Sequence, residues 1–287
     1  MLARVGEDYP QSWLHDFIHH QINIEGVTIL PEAVDVRSFY TYLNKSTRVE
    51  DDPLPHFSRL GLTFPKTLLG YQKKGDELDS RTNAKPTTLR QKEIPQDYLL
   101  ATAAHLCPVD YLTHHLLPAV FRQAGFTTVT LDPSSGYMGP NFWGDIPALV
   151  TGLTAFLPAE EDIRRLFQGR SADLWEMATE IASHGCEIVV IKRGERGQLL
   201  YDAVGDKRWE IPAYQARFRN PTGAGDAFCG GFLAGYRRTF DPVQAVLHGN
   251  VAASLVVEGA TPFYALESLP GLAQARLEFL QQSFREV

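Results

Sequence analysis

The chain has 287 residues, 44% of them apolar and 21% charged, which is the composition of a folded globular protein and excludes overall disorder. Lys and Arg number 27 against 34 Asp and Glu, a net charge of −7, so a broad nucleic-acid or anionic-membrane surface is not expected. Three widely spaced cysteines (Cys107, Cys186, Cys229) and the lack of an 18-residue apolar run predict no disulfide framework, no cysteine zinc site and no membrane span. The expected location is the cytoplasm.

In chain order, His15-Asp16-Phe17-Ile18-His19 sets two histidines one helical turn apart. A helical zinc motif needs Glu at the second position, and Asp16 is shorter, so a metal is not expected there. Arg48 to about Gln96 is irregular, with Glu50-Asp51-Asp52-Pro53, His56 and a basic turn at Lys73-Lys74-Gly75. It reads as a long surface excursion or as a lid. Beyond it the pattern sharpens. Tyr98–Ala103 predicts a buried strand, Tyr111–Ala124 an amphipathic helix stopped at Gly125, and Phe126–Leu131 a β-branched strand. Ala148–Leu157 is a further apolar run. Ser171 is the expected cap of a helix with Leu174, Met177, Ala178 and Ile181 on one face, ending at Gly185. Glu187–Lys192 reads as a strand buried on both faces. A turn at Gly194–Gly197 and another at Gly205-Asp206 separate strands at Gln198–Ala203 and Arg208–Tyr214. Helices follow at Ala224–Thr239 and, capped by Asp241, at Pro242–Glu258. This alternation implies an α/β fold with a largely parallel sheet and an antiparallel edge.

The chemistry is concentrated in Asn220-Pro221-Thr222-Gly223-Ala224-Gly225-Asp226-Ala227-Phe228. Small residues feed directly into a helix whose first N–H groups lack intrahelical partners, which makes an anion site without lysine. Asp226 falls in the first turn, where the helix dipole favours its anion. A carboxylate base beside a phosphate-holding nest suits phosphoryl transfer to an alcohol, although the same residues also read as a plain capped turn. The string GxxxxGK[ST] is absent, and polar Gln215–Asn220 precedes the glycines where a dinucleotide fingerprint needs a strand.

NPTGAGDAFCGGFLAGY resembles the C-terminal signature of the ribokinase-like (PfkB) carbohydrate and nucleoside kinases, usually DTxGAGDxFxxG. Phe156–Asp162 (FLPAEED) resembles that family's PNxxE segment, Val189–Asp202 its strand–glycine turn–strand, and Asn250–Pro262 the helix and Gly-Ala turn near the nucleotide base. The resemblance implies a ribokinase-like α/β/α sandwich with a mostly parallel central sheet and a small lid. It treats residues 1–287 as a single kinase domain with lid elements within 27–96. By the same resemblance Asp226 is the catalytic base, and Gly223, Ala224 and Gly225 form the anion hole. Lys192, Gly194, Gly197, Thr222 and Asn250 lie on the ATP side, and Glu161 and Asp162 support Mg2+. ATP and Mg2+ are the implied cofactors, a sugar, sugar acid or nucleoside the acceptor, and a homodimer paired through lids a common form.

The chain departs from the family pattern in three places. Asn220 replaces an aspartate that helps hold a monovalent cation, so potassium activation is not expected. Ala159 and Asp162 replace the asparagine and glutamate of PNxxE. Only four residues precede Val5-Gly6-Glu7-Asp8, which resembles a segment that normally follows an opening strand and a substrate-binding aspartate. These departures keep open a second reading, a truncated or catalytically impaired binder of nucleotide or metabolite. Of the other candidates, Asp132 ends a strand where α/β sheets bind ligands, and Asp132-Pro133-Ser134-Ser135-Gly136 reads equally as a plain turn. Lys192 and Arg193 end another, as phosphate contacts or as solvated charges. His114-His115 reads as one boundary and one surface histidine, and Cys229 as a small buried residue.

Overall fold

A computed structural model describes residues 1–43, 48–73, 78–261, 263–269 and 271–287. Lys74 and Gly75 of the basic turn, and Pro262 at the end of the Asn250–Pro262 segment, lie outside the described residues. The chain divides into two compact units, Met1–Leu78 and Asp79–Val287.

In the first unit, β1 (Leu2–Val5) is followed by α1 (Gln11–His19), β2 (Gly26–Ile29), β3 (Tyr40–Tyr42), β4 (Arg48–Glu50) and α2 (Pro53–Arg59). Leu2–Val5, to which the sequence assigned no element, is a strand and pairs in parallel with β2. β3 and β4 form an antiparallel pair. Asp52 caps α2, its side chain accepting from the Leu54 amide, with Pro53 at the first helical position.

The second unit runs β5 (Ala103–Leu106), α3 (Tyr111–Gln123), β6 (Thr128–Leu131), α4 (Ile146–Val150), β7 (Ala155–Phe156), α5 (Glu160–Leu166), α6 (Leu174–Ser183), β8 (Ile188–Lys192), β9 (Gln198–Asp202) and β10 (Lys207–Ile211). It closes with α7 (Ala224–Thr239), α8 (Pro242–Val256), α9 (Leu272–Leu280) and β11 (Arg285–Glu286). Its seven strands lie in the order β11-β10-β9-β8-β7-β6-β5, which is chain order. The pairs from β5 to β8 are parallel and those from β8 to β11 antiparallel, so β5, β6, β7, β8 and β10 share one direction.

The sheet is buried on both faces, as continuous apolar strands require. Ile188 and Val190 of β8, Leu200 of β9, and Trp209 and Ile211 of β10 join one cluster with Phe228 and Phe232 of α7, Val246 and Leu255 of α8, and Leu277 of α9. The alternate residues Val189, Ile191 and Leu199 are equally buried and point the other way, to the layer that contains α6. α7 and α8 pack closely because each offers a glycine. A Cβ at Gly231 would stand 2.7 Å from the His248 carbonyl oxygen, and one at Gly249 would stand 2.7 Å from that of Phe228. Among the described residues no helix is long and apolar enough to cross a membrane.

Three local expectations are corrected. Tyr98–Ala103 is not a strand: Gln96–Leu100 forms a 3-10 turn with Leu100 82% exposed, and β5 begins at Ala103. The cap of α6 is Asp173, which accepts from the amides of Trp175 (2.7 Å) and Glu176 (3.1 Å), while Ser171 Oγ accepts from the Asp173 amide. His114 is fully buried, not at the boundary. Its Nε2 faces the Cys107 carbonyl at 2.8 Å and so carries the proton, which leaves Nδ1 to accept from the Tyr137 hydroxyl at 2.6 Å.

Candidate active site

The site is assembled where four parallel strands end and one helix begins. Cys107 follows β5, Asp132 follows β6, Pro158-Ala159 follow β7, and Lys192 closes β8. Carboxyl ends of strands are where open α/β sheets place their ligands. The Lys192 amide donates to the Pro158 carbonyl at 2.9 Å, and Ala159 and Lys192 form a parallel bridge. The PAEE turn is thereby locked beside the end of β8.

Against these ends stands the amino terminus of α7. Gly223 is its N-cap, with φ +82°, a left-handed conformation that suits glycine. The Asn220 side chain accepts from the Thr222 amide at 3.0 Å, and the Ala224 amide donates to the Pro221 carbonyl at 3.1 Å. The next two amides, of Gly225 and Asp226, are first-turn groups that have no intrahelical acceptor. Gly225 and Asp226 are both exposed, and Asp226 is the acid of that first turn. Two unpartnered amides and a carboxylate thus stand together in one exposed turn.

Beneath the turn lies a buried charge cluster. The Lys192 ammonium pairs with Asp132 and sits 3.6 Å from Cys229 Sγ, the two charged side chains being only 13% and 7% exposed. An ideal Cβ on Gly225 would lie 3.7 Å from Lys192 Nζ, so the ammonium is directly below the loop. Burial pulls the lysine down, and the carboxylates of Asp132, which it also hydrogen-bonds, and Asp226 pull it up. Burial raises Asp132 against the pull of Lys192. Burial also pushes the Cys229 thiol well above the usual range, so Cys229 is an inert packing residue that donates toward Asp132 at 3.4 Å. Lys192 is therefore not a solvated strand-end charge. It is a buried cation aimed at the loop from below. Cys107, exposed by residue, has its thiol pushed up to about 11 by the protein packed around it and by Asp226 and Asp132.

The remaining expected residues are spread around this centre. Gly194 (φ +59°) has open space about it, whereas Gly197 (φ +81°) packs where a Cβ would run into the Ile211 carbonyl and come within 2.7 Å of the Ala213 amide. Gly197 thus has a packing role that its turn alone does not show. Thr222 is exposed beside Gly223. Asn250 is 3% exposed, with Nδ2 donating to Gln198 Oε1 (3.0 Å) and the Pro212 carbonyl (2.7 Å), and Oδ1 accepting from the Tyr214 amide (2.9 Å). Its amide is spent inside the protein, holding the segment that leads to the loop.

In α5, Glu161 is exposed, while Asp162 is buried and paired with Arg165. Burial raises Asp162 to about 6, Arg165 opposing and Glu161 adding to the rise. Among the described residues no three His, Cys, Asp or Glu side chains converge as a metal cage. Mg2+ carried on a nucleotide brings phosphate and water ligands with it and needs few from the protein; of this pair Glu161 is the exposed carboxylate, while Asp162 is held by Arg165.

Sequence reasoning did not single out the recess of about 400 Å3 lined by Arg217, Phe218, Arg219, Glu258 and Tyr264, which flanks the approach to the loop. A recess of about 720 Å3 on the outer face of α6, with Trp143, Trp175 and Arg208 in its wall, contains none of the expected site residues.

Known proteins resemble the chain in sequence and in fold. The family model described as pfkB family carbohydrate kinase matches residues 81–266, well over half the chain. A cytidine kinase of Thermococcus kodakarensis is 27% identical over 241 residues, 83% of this chain and 73% of the relative. An uncharacterized sugar kinase of Archaeoglobus fulgidus is 32% identical over 145 residues, 50% of this chain and 54% of the relative. Among solved structures, a Burkholderia thailandensis nucleoside kinase bound to inosine superposes with a TM-score of 0.66 at 21% identity, covering 98% of this chain and 81% of the other. An E. coli protein described as a ribokinase II, in complex with ATP and Mg2+, gives 0.67 at 16% identity, covering 97% and 82%.

Proposed function

The chain belongs to the pfkB family of carbohydrate kinases, and we propose that it transfers the terminal phosphoryl group of ATP to a hydroxyl of a sugar, sugar acid or nucleoside. The observation that carries this reading is the left-handed Gly223 opening α7 onto the amides of Gly225 and Asp226, with the Asp226 carboxylate exposed in the same turn.

In this reading Asp226 accepts the acceptor hydroxyl's proton as the new O–P bond forms. The amides of Gly225 and Asp226, presented by the left-handed turn at Gly223, hold the negative charge that spreads over the transferring group and are fixed before it arrives, while the Ala224 amide is held by the Pro221 carbonyl. Lys192 adds positive charge from below at no cost in exposure, and Asp132 keeps it protonated and in place. Thr222, Gly194 and Gly197 line the ATP side, with Asn250 acting from within by anchoring Pro212 and Tyr214. Glu161 with Asp162 would hold the waters of a nucleotide-borne Mg2+, whose charge would offset that of the phosphates.

The test is ADP release from MgATP across a panel of nucleosides, sugars and sugar acids. Pyrimidine nucleosides head the panel, because the cytidine kinase aligns over most of this chain. Asp226→Asn is expected to lower kcat by roughly 10²–10⁴-fold with nucleotide affinity retained. An unchanged rate in that variant would remove Asp226 as the base. Nucleotide binding without turnover in the parent chain would favour the impaired-binder reading, which the altered residues Ala159 and Asn220 motivate.

A further inference from the structure

Arg276 lies on α9, beyond the last residue that the family model matches, and is only 5% exposed. A guanidinium held so deep needs partners, and it finds them on two segments, the end of α8 with its following turn and the stretch around Tyr214. Nη1 donates to Ser254 Oγ of α8 at 2.9 Å, Nη2 donates to Glu258 Oε2 at 2.7 Å, and the guanidinium carbon stands 4.7 Å from the centre of the Tyr214 ring. Glu258 passes the contact on, for its other oxygen accepts from the Arg217 amide at 3.0 Å. One residue earlier, the Val257 carbonyl accepts from the amides of Arg219 (2.9 Å) and Asn220 (3.0 Å).

Residues 212–219 have no helix or strand of their own, and they run straight into Asn220-Pro221-Thr222-Gly223. Their path is imposed from outside, by Asn250 at one end and by the Val257-Glu258 turn at the other. Arg276 is the group that ties that turn to the terminal helix. Arginine suits the task because it can bridge two acceptors and lie on a ring at once, which lysine cannot do. Packing alone does not demand an ion pair here, since apolar residues of similar volume stabilise a core as well or better. What the pair supplies is placement.

We propose that Arg276 is a positioning residue for the transfer. Acting through Glu258, it fixes the backbone at Arg217 and so the register of the loop that opens α7, and thereby how firmly the nucleotide side of the site is held. The inference rests on the kinase reading above.

The test uses the full chain, with ATP and acceptor varied separately, in Arg276→Met, Arg276→Lys, Glu258→Gln and the Arg276→Met/Glu258→Gln double variant. Binding of a non-hydrolysable ATP analogue is followed calorimetrically alongside. Contacting residues of one network couple strongly, so Arg276→Met and Glu258→Gln should each raise KM for ATP by about three- to thirtyfold, and the analogue Kd with it. KM for the acceptor should stay within about twofold, Arg276→Lys should fall between, and the double variant should be no worse than the worse single. Glu258→Gln preserves size and keeps the test open if Arg276→Met folds poorly. Additive losses, or a lowered Tm with KM for ATP unmoved in Glu258→Gln, would overturn the inference while leaving the kinase reading intact. A parent chain that neither binds nucleotide nor transfers phosphoryl overturns both.

Discussion

Replacing Lys192 by Met isolates what the buried pair beneath the loop contributes. The two side chains are 13% and 7% exposed, so the pair is a buried one, and the substitution leaves the Asp132 carboxylate uncompensated. Breaking a buried pair from one side costs about 3–5 kcal/mol. Here the lower end applies, because Cys229 Sγ remains 3.4 Å from Asp132 and the carboxylate can take up a proton. A loss of about 3 kcal/mol corresponds to a fall in Tm of roughly 6–12 °C for a unit of this size. Asp132 already stands above its ordinary value through burial, and losing Lys192 raises it further. A carboxyl whose folded-state pKa is raised costs stability in full above that pKa, and the cost fades as the pH falls from it toward the ordinary carboxylate value. The deficit of Lys192→Met should therefore shrink as the pH is lowered toward the ordinary carboxylate range. Adding Asp132→Asn should restore the stability to within about 1 kcal/mol of the parent while leaving turnover low. Thermal melts of the parent, both single variants and the double variant at several pH values measure all of this. A deficit below about 1 kcal/mol that does not change with pH would place the pair with ordinary surface bridges and refute the argument.

Three further outcomes are expected. Gly197→Ala forces a side chain onto the Ile211 carbonyl at φ +81° and should cost about 3 kcal/mol or more, against about 1 kcal/mol for Gly194→Ala, which meets open space; equal urea midpoints for the two would contradict the packing role. Burial lowers His105 to about 3 and His114 to about 4, so both are neutral when folded and take up protons on unfolding. With folded-state pKa values depressed, their stability is present above about pH 6.5 and is lost by roughly 1.4 kcal/mol per histidine per pH unit as the pH falls toward those values. His114→Gln should flatten that slope in pH-dependent denaturation. Finally, Asn220 Oδ1 holds the Thr222 amide and carries no charge, so turnover should be the same in potassium and choline chloride, and Asn220→Asp should introduce a potassium dependence.

What the sequence conveyed depended on whether the partners were near in the chain. The loop from Asn220 to Asp226 was legible because small residues, a helix start and an acid in its first turn are all local signals. The strands at Ile188–Lys192 and Gln198–Asp202 were legible for the same reason, as was the capping of α8 by Asp241. Tyr98-Leu99-Leu100 misleads because a short apolar run looks alike whether it is buried or lies along the surface. Ser171 and Asp173 are both good caps two residues apart, and the structure uses each in the same turn. His114 and Lys192 were harder, since their environments are written by Tyr137 and Asp132, 23 and 60 residues away. Arg276 carried no local mark at all; its meaning comes from three segments that meet only when the fold is complete.

The coincidence of strand order with chain order bears on how the larger unit is made. As the chain emerges from the ribosome, each new strand from β5 to β10 can dock against the one just before it, with no need to insert between earlier neighbours. The opposite layer arrives late. Ile188, Val190, Leu200, Trp209 and Ile211 present a bare apolar face until α7, α8 and finally α9 are synthesised to cover it. Over that interval the nascent chain is a half-dressed sheet, a natural client for a holding chaperone. Ribosome-bound chains stalled before residue 224 should bind such chaperones far more tightly than chains stalled beyond a released α9.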